Sequence, residues 1–329
     1  RYNYTLVNGV KIPSPDKKNR FVPLDIFPSE MLDRLEVTKS LTANMEGDGI
    51  GGAVNLIMKD APSERQFTAN LSTGYNAMYF GRDFQSFNRG GIVKKSPYEA
   101  LGKPEDYKVT MEDFTTSNLR MKWKKPLPDL TAGLSYGDRF FDDKLGVMLA
   151  GSFLSTSRGK ESRLYYQPGT SHNGIEYRNY SSEQTRIGMH AKLDYSLNDN
   201  HKLTWYNGYM DMSEAEVRDG EDEKERAVRM RWNHQYIINS TLKGEHLFLS
   251  GGALRLNWSA VLSKAFSETP DNAEIYLLGS HVSTTDAAKR RWEHNSDKDK
   301  AGYVDLAYKL KLDGGAILDF SAGGMYRDK

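Results

Sequence analysis

The sequence predicts an all-β protein built from long antiparallel strands, each with one apolar and one polar face. Apolar and polar residues alternate strictly in several segments, which is the period of two typical of a strand. Gly- and Asp-rich turns separate these segments, and 19 of the 329 residues are Tyr and 29 are Gly. The mean hydropathy is only −0.67. This polar average suits either a soluble β protein or a membrane β-barrel, whose alternation hides its apolar half.

The first 62 residues differ from the rest in their sequence pattern. A short helix is predicted over Pro28–Arg34, because this stretch follows the helical period of 3.6 and Pro suits the first turn of a helix. Four glycines, at Gly47, Gly49, Gly51 and Gly52, then permit close backbone approach and positive φ. No Gly-Lys-Ser/Thr follows them, and a strand comes next where a phosphate loop or a dinucleotide fingerprint needs a helix. The residues alone therefore predict a glycine corner that leads into a buried strand.

About nine strands are predicted after residue 65. The alternation is clear where Leu254, Leu256 and Leu262 interchange with polar neighbours, and it recurs along the chain. The predicted strands are 66–78, 130–140, 144–156, 184–196, 202–212, 227–242, 253–267, 300–312 and 316–327.

Short and long connections alternate between these strands. Tight turns are predicted at 142–143, 198–200, 250–252 and 313–315. Long polar loops are predicted near 79–129, 157–183, 213–226 and 268–299. Short turns at one end and long loops at the other are typical of an outer-membrane barrel. Strands of about 10 to 15 residues also exceed the five or six of a soluble sandwich, which remains the alternative.

The alternation of strand faces predicts which side of the sheet the charged and aromatic residues lie on. In a barrel wide enough to hold a plug, the faces turned away from lipid are polar, which places Arg186, Lys192, Asp194, Arg255, Asp305, Lys309 and Lys311 inward. Interfacial aromatic girdles are predicted from Trp205, Tyr209, Trp232, Tyr236, Trp258, Tyr308 and Tyr326. The acidic run at 214–223 is interpreted as a solvated charged loop. Calcium binding is the weaker reading, because basic residues interleave the run and EF-hand spacing is absent.

Composition excludes several kinds of function. The 45 Lys and Arg residues balance 44 Asp and Glu residues, so no basic surface for nucleic acid is indicated. The chain has no Cys, which excludes disulfides, thiolate metal sites and thiol nucleophiles within it. No run of about 18 apolar residues predicts a transmembrane helix. Without a nucleophile elbow, paired carboxylates or His at metal-ligand spacing, we expect no enzyme activity, cofactor or metal.

Ordered motifs in the first 62 residues resemble the C-terminal half of the plug of a TonB-dependent receptor. They are Tyr4–Val10 with its Asn-Gly turn, Arg20–Ile26, Pro28–Glu30, Arg34–Val37 and Gly47–Lys59. Lys39-Ser40, and Met-Glu-Gly-Asp at 45–48, are similar to the branch common in Bacteroidetes and in some carbohydrate-linked receptors. Residues 137–146 look like the second and third barrel strands of that branch. The resemblance implies a plug segment at 1–62 and the N-terminal part of a transmembrane β-barrel with long extracellular loops at 63–329.

The resemblance also implies roles for individual residues. In the family, the basic plug strand pairs with the barrel wall, so Arg34, Glu36 and Lys39 are expected as plug–barrel contacts. The four glycines at 47, 49, 51 and 52 are expected to be structural. Substrate is met by plug loops, here Lys11–Arg20 and Thr42–Glu46, and by the long outer loops. The candidate ligand contacts are Lys11, Ser14, Asn44, Met45, Tyr165 and Tyr166.

The implied function is energy-coupled import across the outer membrane of a Gram-negative bacterium, without covalent chemistry. The expected substrate is scarce, such as a siderophore, vitamin, oligosaccharide or peptide. The expected partners are the TonB protein of the inner membrane, outer-membrane lipid and a surface lipoprotein, and nucleic acid is not expected. The alternatives are a passive porin or adhesin-type barrel and a soluble carbohydrate-binding β-sandwich.

The strand number implies a part of a larger receptor. A plugged transporter barrel has 22 strands, and bacterial barrels have an even number. With half a plug, no energy-coupling box and no leader, we expect the chain to be a portion of such a receptor. Its wall should then be an open, curved sheet, with Arg34 and Lys39 on the side that faces the charged strand positions.

Overall fold

The computed structural model describes residues 4–16, 22, 24–40, 42, 45–47, 51–165, 174–223, 225–278, 281–282, 288–312 and 315–329. In chain order the strands are β1 (Tyr4–Val7), β2 (Val10–Lys11), β3 (Leu32–Thr38), β4 (Ala53–Met58), β5 (Gln66–Gly74), β6 (Phe84–Phe87), β7 (Met121–Lys124), β8 (Asp129–Phe140), β9 (Leu145–Tyr165), β10 (Ile175–Asn198), β11 (His201–Glu221), β12 (Arg226–Phe248), β13 (Leu254–Leu278), β14 (His281–Val282), β15 (Ala288–Lys311) and β16 (Ile317–Asp328). Helical structure in these residues is limited to α1 (Pro97–Ala100) and short 3-10 turns. None of these helices is long and apolar enough to cross a membrane.

The larger sheet, called the wall below, is an antiparallel meander. Its order is β5-β8-β9-β10-β11-β12-β13-β15-β16, with the short β14 beside β13. This confirms the predicted all-β fold class and the nine long strands. Asp142 and Asp143, at φ of 53° and 63°, form one tight turn, and Gly251 and Gly252, both at 69°, form another. The sheet is open, because β5 and β16 lie at its two edges and are not paired with each other in the described residues.

Six wall strands are much longer than predicted. Strands β9 to β13 and β15 have 21 to 25 residues, so the loops predicted near 157–183, 213–226 and 268–299 are wrong for most of those residues. The acidic run at 214–223 likewise lies mainly on β11. There Ala215 and Val217 alternate with Glu214 and Glu216, and the high charge hid this alternation. At about 3.3 Å per residue, a 21-residue strand extends about 69 Å, well beyond a hydrocarbon core of about 30 Å even when tilted.

The small sheet has the order β2-β1-β4-β3, with β1 parallel to β4. The Asn8-Gly9 turn joins β1 to β2, and both residues have positive φ. The helix predicted over Pro28–Arg34 is wrong. Only Ser29–Met31 forms a 3-10 turn, and β3 begins at Leu32. Pairing of β3 with the central β4 supplies the backbone hydrogen bonds, and such tertiary pairing overrides a weak helical preference.

The small sheet covers one face of the wall, and the opposite face is apolar and exposed. Tyr206 and Met210 of β11 are buried against the small sheet. On β13, Val261 and Ser263 are buried while Leu262 between them is 60% exposed. Alternation therefore has the predicted sense, with the polar or small set inward. The exposed outward set includes Leu134, Leu149, Phe153, Met189, Ile238, Leu242, Leu262, Val304 and Leu306.

Aromatic rings stand at two heights on this outward face. Near the short turns, the rings of Trp258 and His246 stack with centroids 6.5 Å apart. Farther along β12, the Tyr236 ring lies 5.2 Å from Phe266 and 6.4 Å from Tyr209. Ten residues, from position 236 to 246, separate these heights. For a strand tilted by about 45° that is about 23 Å, close to the apolar band of a membrane barrel.

The connection from β5 to β8 is a folded segment, which we call the outer strap (residues 75–128). Its Phe87 packs with Val217 and Met230. From Lys202 to Glu221, β11 pairs with both neighbours without a bulge. Met210 and Val217 therefore point to opposite faces, and the outer strap covers the face that the small sheet leaves bare. The connection predicted near 79–129 is long and mostly irregular, as expected, but it packs on the wall through residues such as Phe87, which the residue types did not indicate.

Buried polar bonds fasten the outer strap. Gln85 donates through Nε2 to Asp219 Oδ2 at 2.8 Å, and Arg226 donates to both oxygens of the same carboxylate. That ion pair raises the pKa of the Arg226 guanidinium. Asn118 of the strap donates through Nδ2 to Asp271 Oδ2 of the wall at 2.8 Å. Arg290, which also donates to both oxygens of Asp271, donates to Thr115 O of the strap at 2.9 Å. Since buried charges are tolerated only when paired and hydrogen-bonded, these contacts fix the strap to the wall.

Cysteines at alternate positions of the wall should differ in their contact with lipid. We expect Leu262→Cys and Leu306→Cys to react with a maleimide on a lipid-soluble probe when the full-length protein is reconstituted in vesicles. The matched controls Ser263→Cys and Asp305→Cys, one residue away on the inward face, should stay unlabelled. Equal labelling of both sets would contradict a lipid-facing outward surface.

The glycine corner should tolerate a side chain at one end only. Gly52 has φ +107°, and a Cβ there would lie 2.4 Å from Thr38 O, whereas a Cβ at Gly47 meets nothing within 4 Å. We expect Gly52→Ala to prevent assembly, because it adds both a clash and an unfavourable φ, and Gly47→Ala to assemble normally. Heat-modifiable migration on a denaturing gel measures assembly. Normal assembly of Gly52→Ala would contradict a structural role.

Candidate functional site

The candidate site is the junction between the small sheet and the wall. Its apolar part joins buried side chains of both sheets, including Ile26, Met31, Leu56, Met58, Met148, Tyr206, Met210, Ile237 and Ala265. Gly188 of β10 allows a close approach of the two parts. A Cβ at this position would lie 2.4 Å from Pro28 Cγ and 2.7 Å from Met31 Sδ. With Pro28 in place, a side chain at position 188 would therefore push the Pro28–Met31 turn away from the wall.

One carboxylate, that of Glu46, links the small sheet to the last two wall strands. It accepts hydrogen bonds from Tyr303 Oη at 2.8 Å and from Arg327 Nη1 and Nη2 at 2.5 and 2.6 Å. Lys11 Nζ lies 3.3 Å away. The Arg327 and Glu46 side chains are only 9% and 14% exposed. This nearly buried cluster, Lys11, Glu46, Tyr303 and Arg327, is called the Glu46 cluster below.

Further polar contacts join the two sheets. Lys192 forms an ion pair with Asp60, and Lys243 donates to the backbone carbonyl of Asn8. Asn295 Nδ2 donates to Pro15 O at 3.4 Å. The inward placement of Lys192 was predicted from strand alternation.

The partners on the small-sheet side were missed by sequence reasoning, and so was the role of Glu46, which was counted only within a ligand-contacting loop. Alternation identifies which wall residues face inward, and Tyr303 and Arg327 satisfy it. The contact across the junction depends on how the two sheets dock, and neither sheet's local sequence contains that information.

A cavity of about 520 Å³ lies between the small sheet and the wall. It is lined by Glu46 and Lys11 from one side and by Lys243, Glu245 and Asp305 from the other, with further polar groups such as Asn55 and Asn257. Lys243 and Asp305 lie within a few residues of the tight turns, so the cavity is at the short-turn end of the wall. Its charged lining suits water or a polar solute. Among the described residues, no group of three or more acidic or His side chains is placed to hold a metal ion.

The three residues expected to hold the small sheet in place have different surroundings. Arg34 lies on β3 with its side chain 58% exposed, and it pairs with Asp33 and Glu36 of the same strand. Glu36 also accepts a hydrogen bond from Asn55, and Lys39 is exposed. In the described residues these contacts stay within the small sheet, so their contact with a barrel wall stays a prediction.

The expected ligand contacts are not brought together at one place. Lys11 belongs to the Glu46 cluster, Ser14 is buried, and Met45 packs on Leu6 and Ala53. Tyr165, at the end of β9, is 67% exposed. Asn44 and Tyr166 lie outside the described residues, as does Gly49 among the predicted structural glycines; Gly51 is exposed in a turn.

No protein-family model and no curated protein matches the chain. Among solved structures, it is similar to the RagAB peptide transporter over 99% of this chain and 49% of that chain, with 11% identity and a TM-score of 0.54. It also matches the ferric citrate transporter FecA (11% identity, 98% of this chain, 50% of that chain, TM-score 0.37). A third match is BauA, the ferric preacinetobactin receptor of Acinetobacter baumannii (13% identity, 98% and 53%, TM-score 0.35).

The chain thus spans about half the length of the structures that it matches. At 11% identity, the likeness to RagAB is one of fold alone. It supports the predicted architecture, in which a small N-terminal sheet lies against the wall of an outer-membrane type of β-barrel.

Neutralising Glu46 should loosen the small sheet. We expect Glu46→Gln to remove the charge that Arg327 and Lys11 share. Asp299, 3.2 Å from Arg327 Nε, then remains as a counter-charge of the guanidinium, and we expect the change to cost about 1–3 kcal/mol. Amide hydrogen exchange in β1 and β2 should then accelerate by about 5- to 150-fold. The control Glu36→Gln removes an exposed partner of Arg34 and should change exchange less than about twofold. Equal exchange in both variants would show that the Glu46 cluster does not hold the small sheet.

Proposed function

We propose that this chain is part of an energy-coupled importer of the Gram-negative outer membrane. In this proposal residues 1–62 are the C-terminal half of a plug and residues 63–329 are the first portion of the barrel wall. The observation that carries it is the docking of the small sheet on the inward face of the wall, opposite an exposed apolar band bordered by aromatic rings. Such a segment blocks the barrel and has to move for a substrate to pass.

The polar character of the junction supports a plug that moves. The Glu46 cluster and Lys243, which donates to Asn8 O, border the cavity. The Lys192–Asp60 pair is a further charged contact of the junction. Buried ion pairs add little net stability, because desolvation offsets much of their attraction. A pull transmitted from the inner membrane then has to break contacts that water can replace. The proposed partner for this pull is the TonB protein.

The proposed substrates are those of energy-coupled receptors in general, namely a siderophore, a vitamin, an oligosaccharide or a peptide. RagAB, whose fold is similar, is described as a peptide transporter. Outer-membrane lipid is the proposed environment, and a surface lipoprotein is a further proposed partner.

The unassigned plug residues keep their proposed roles. We place Arg34, Glu36 and Lys39 opposite wall strands that would continue the sheet beyond β5 or β16. Gly47, Gly49, Gly51 and Gly52 form the proposed structural corner. Ser14, Asn44, Met45, Tyr165 and Tyr166 remain proposed ligand contacts, together with Lys11 once the Glu46 cluster opens.

Energy-dependent exposure of Ala265 tests this function without knowledge of the substrate. Ala265 is fully buried beneath the small sheet. In cells that express the full-length protein, we expect Ala265→Cys to react with a membrane-impermeant maleimide only while the inner membrane is energised. A protonophore should reduce the labelling rate about tenfold or more, since plug movement is then uncoupled. Tyr165→Cys, at an exposed site, should label equally with and without the protonophore.

A disulfide between the small sheet and the wall should block the movement that exposes position 265. A Cβ built at position 188 would lie 2.4 Å from Pro28 Cγ. It would therefore lie within about 4 Å of Pro28 Cβ, which is the Cβ–Cβ separation found in disulfides. With Pro28→Cys and Gly188→Cys added, labelling at position 265 should stop until a reductant is supplied. An equal labelling rate with and without the protonophore would favour a passive porin or adhesin-type barrel. Recovery of the full-length protein in the soluble fraction would favour the soluble sandwich.

A further inference from the structure

Three arginines form a band on the inward face of the wall, beyond the small sheet and toward the long-strand end. In the strand register Arg218 of β11 is directly opposite Arg229 of β12, and Glu216 is opposite Arg231. Arg229 is in turn opposite Glu274 of β13. These residues alternate with Val217 and Met230, which are buried under the outer strap. The arginines therefore lie on the face that lines the interior.

The arginines of this band share their carboxylate partners. Arg229 Nη2 and Arg231 Nη2 lie 2.8 and 3.3 Å from the same oxygen of Glu216. Arg218 pairs with Glu274. Three guanidinium groups thus pair with two carboxylates. In addition, Arg218 and Arg229 place like charges opposite each other on neighbouring strands, which is destabilising in a sheet.

The arginine side chains also retain unused hydrogen-bonding capacity. They are only 16% to 29% exposed. The Nε atoms of Arg218, Arg229 and Arg231 are all buried and make no hydrogen bond in the described structure. A buried donor without a partner costs free energy. A guanidinium fork matches a carboxylate in a bidentate geometry that lysine does not provide. A ligand carboxylate entering the band would supply acceptors for these donors.

We propose that this band recognises the carboxylate groups of an anionic substrate. The inference rests on the proposed import function, because the band lies on the side of the plug where the long strands project. Glu216 then acts as an internal competitor, which occupies Arg229 and Arg231 until substrate arrives. Acidic peptides and acidic oligosaccharides both present this chemistry, and the experiment separates them.

Binding to the full-length receptor in lipid nanodiscs tests the inference. The probes are an oligoglutamate peptide and an oligogalacturonate, each paired with an uncharged counterpart, a serine oligomer and the galacturonate methyl ester. Calorimetry should show that at least one acidic probe binds about tenfold or more tightly than its counterpart, and that salt weakens the binding. The acidic probe that binds identifies the source of the carboxylates. Equal binding of charged and uncharged probes, or no binding by either acidic probe, would overturn the inference.

Variants locate the binding in the arginine band. Arg229→Gln with Arg231→Gln should weaken the acidic probe about tenfold or more. The matched double variant Arg82→Gln with Arg89→Gln makes the same charge change on the outer strap, with side chains 53% and 50% exposed, and should alter binding less than about twofold. A similar loss in both would overturn the assignment to the band.

Glu216→Gln provides a test that misfolding cannot imitate. It removes the internal competitor, so the acidic probe should bind more tightly, and weaker binding would contradict the proposal. The outcome is separable from that of the proposed function. Labelling at position 265 that depends on an energised membrane, together with failure of the acidic probes, would reject only the anionic substrate. Labelling without energy dependence would reject the import function, whatever the probes do.

Discussion

The strict alternation of side chains along unbulged strands is the constraint on which the rest of the structure depends. Because neighbouring residues point to opposite faces, each wall strand has to satisfy two environments at once. Around Met210 the inward face packs on the small sheet and the outward face is apolar and exposed. A shift of one residue in register would exchange the two faces along a whole strand. The long uninterrupted pairing of β10, β11 and β12 guards against such a shift.

The same constraint explains why burial changes sides along a strand. On β11 the buried set moves from Tyr206 and Met210 to Ala215 and Val217 without any bulge. The small sheet covers the inward face near the short turns, and the outer strap covers the outward face farther on. Between these heights the strand passes from the proposed lipid zone into water. There the apolar residues need a protein cover, and the strap supplies it, which leaves the inward face free for charged groups such as Arg229.

Much of the wall was predictable from sequence, because alternation is a local property. The nine strands, the tight turns and the orientation of Leu262 follow from it. The extensions at 213–219 also alternate, but their charge suggested a loop, since solvated segments and polar strands have similar compositions. The short β3 was misjudged at its start, because its backbone bonds depend on β4. Contacts of Glu46 join residues 257 and 281 positions away, and no local pattern encodes docking at that separation.

The junction and the arginine band both pair carboxylates with guanidinium groups, but the two arrangements serve different purposes. In the Glu46 cluster one carboxylate is surrounded by Arg327, Lys11 and a tyrosine hydroxyl, so its acceptor capacity is filled and the small sheet is seated. Arg327 Nε also faces a second carboxylate, that of Asp299, at 3.2 Å. In the band, three guanidinium groups pair with two carboxylates, and their buried Nε donors make no hydrogen bond in the described structure. The filled Glu46 carboxylate favours a closed junction, whereas guanidinium groups with unused donors gain free energy by taking up an anion. The Glu46 cluster therefore suits a contact that holds the small sheet until an external pull releases it. The arginine band suits a surface that binds a ligand before that release.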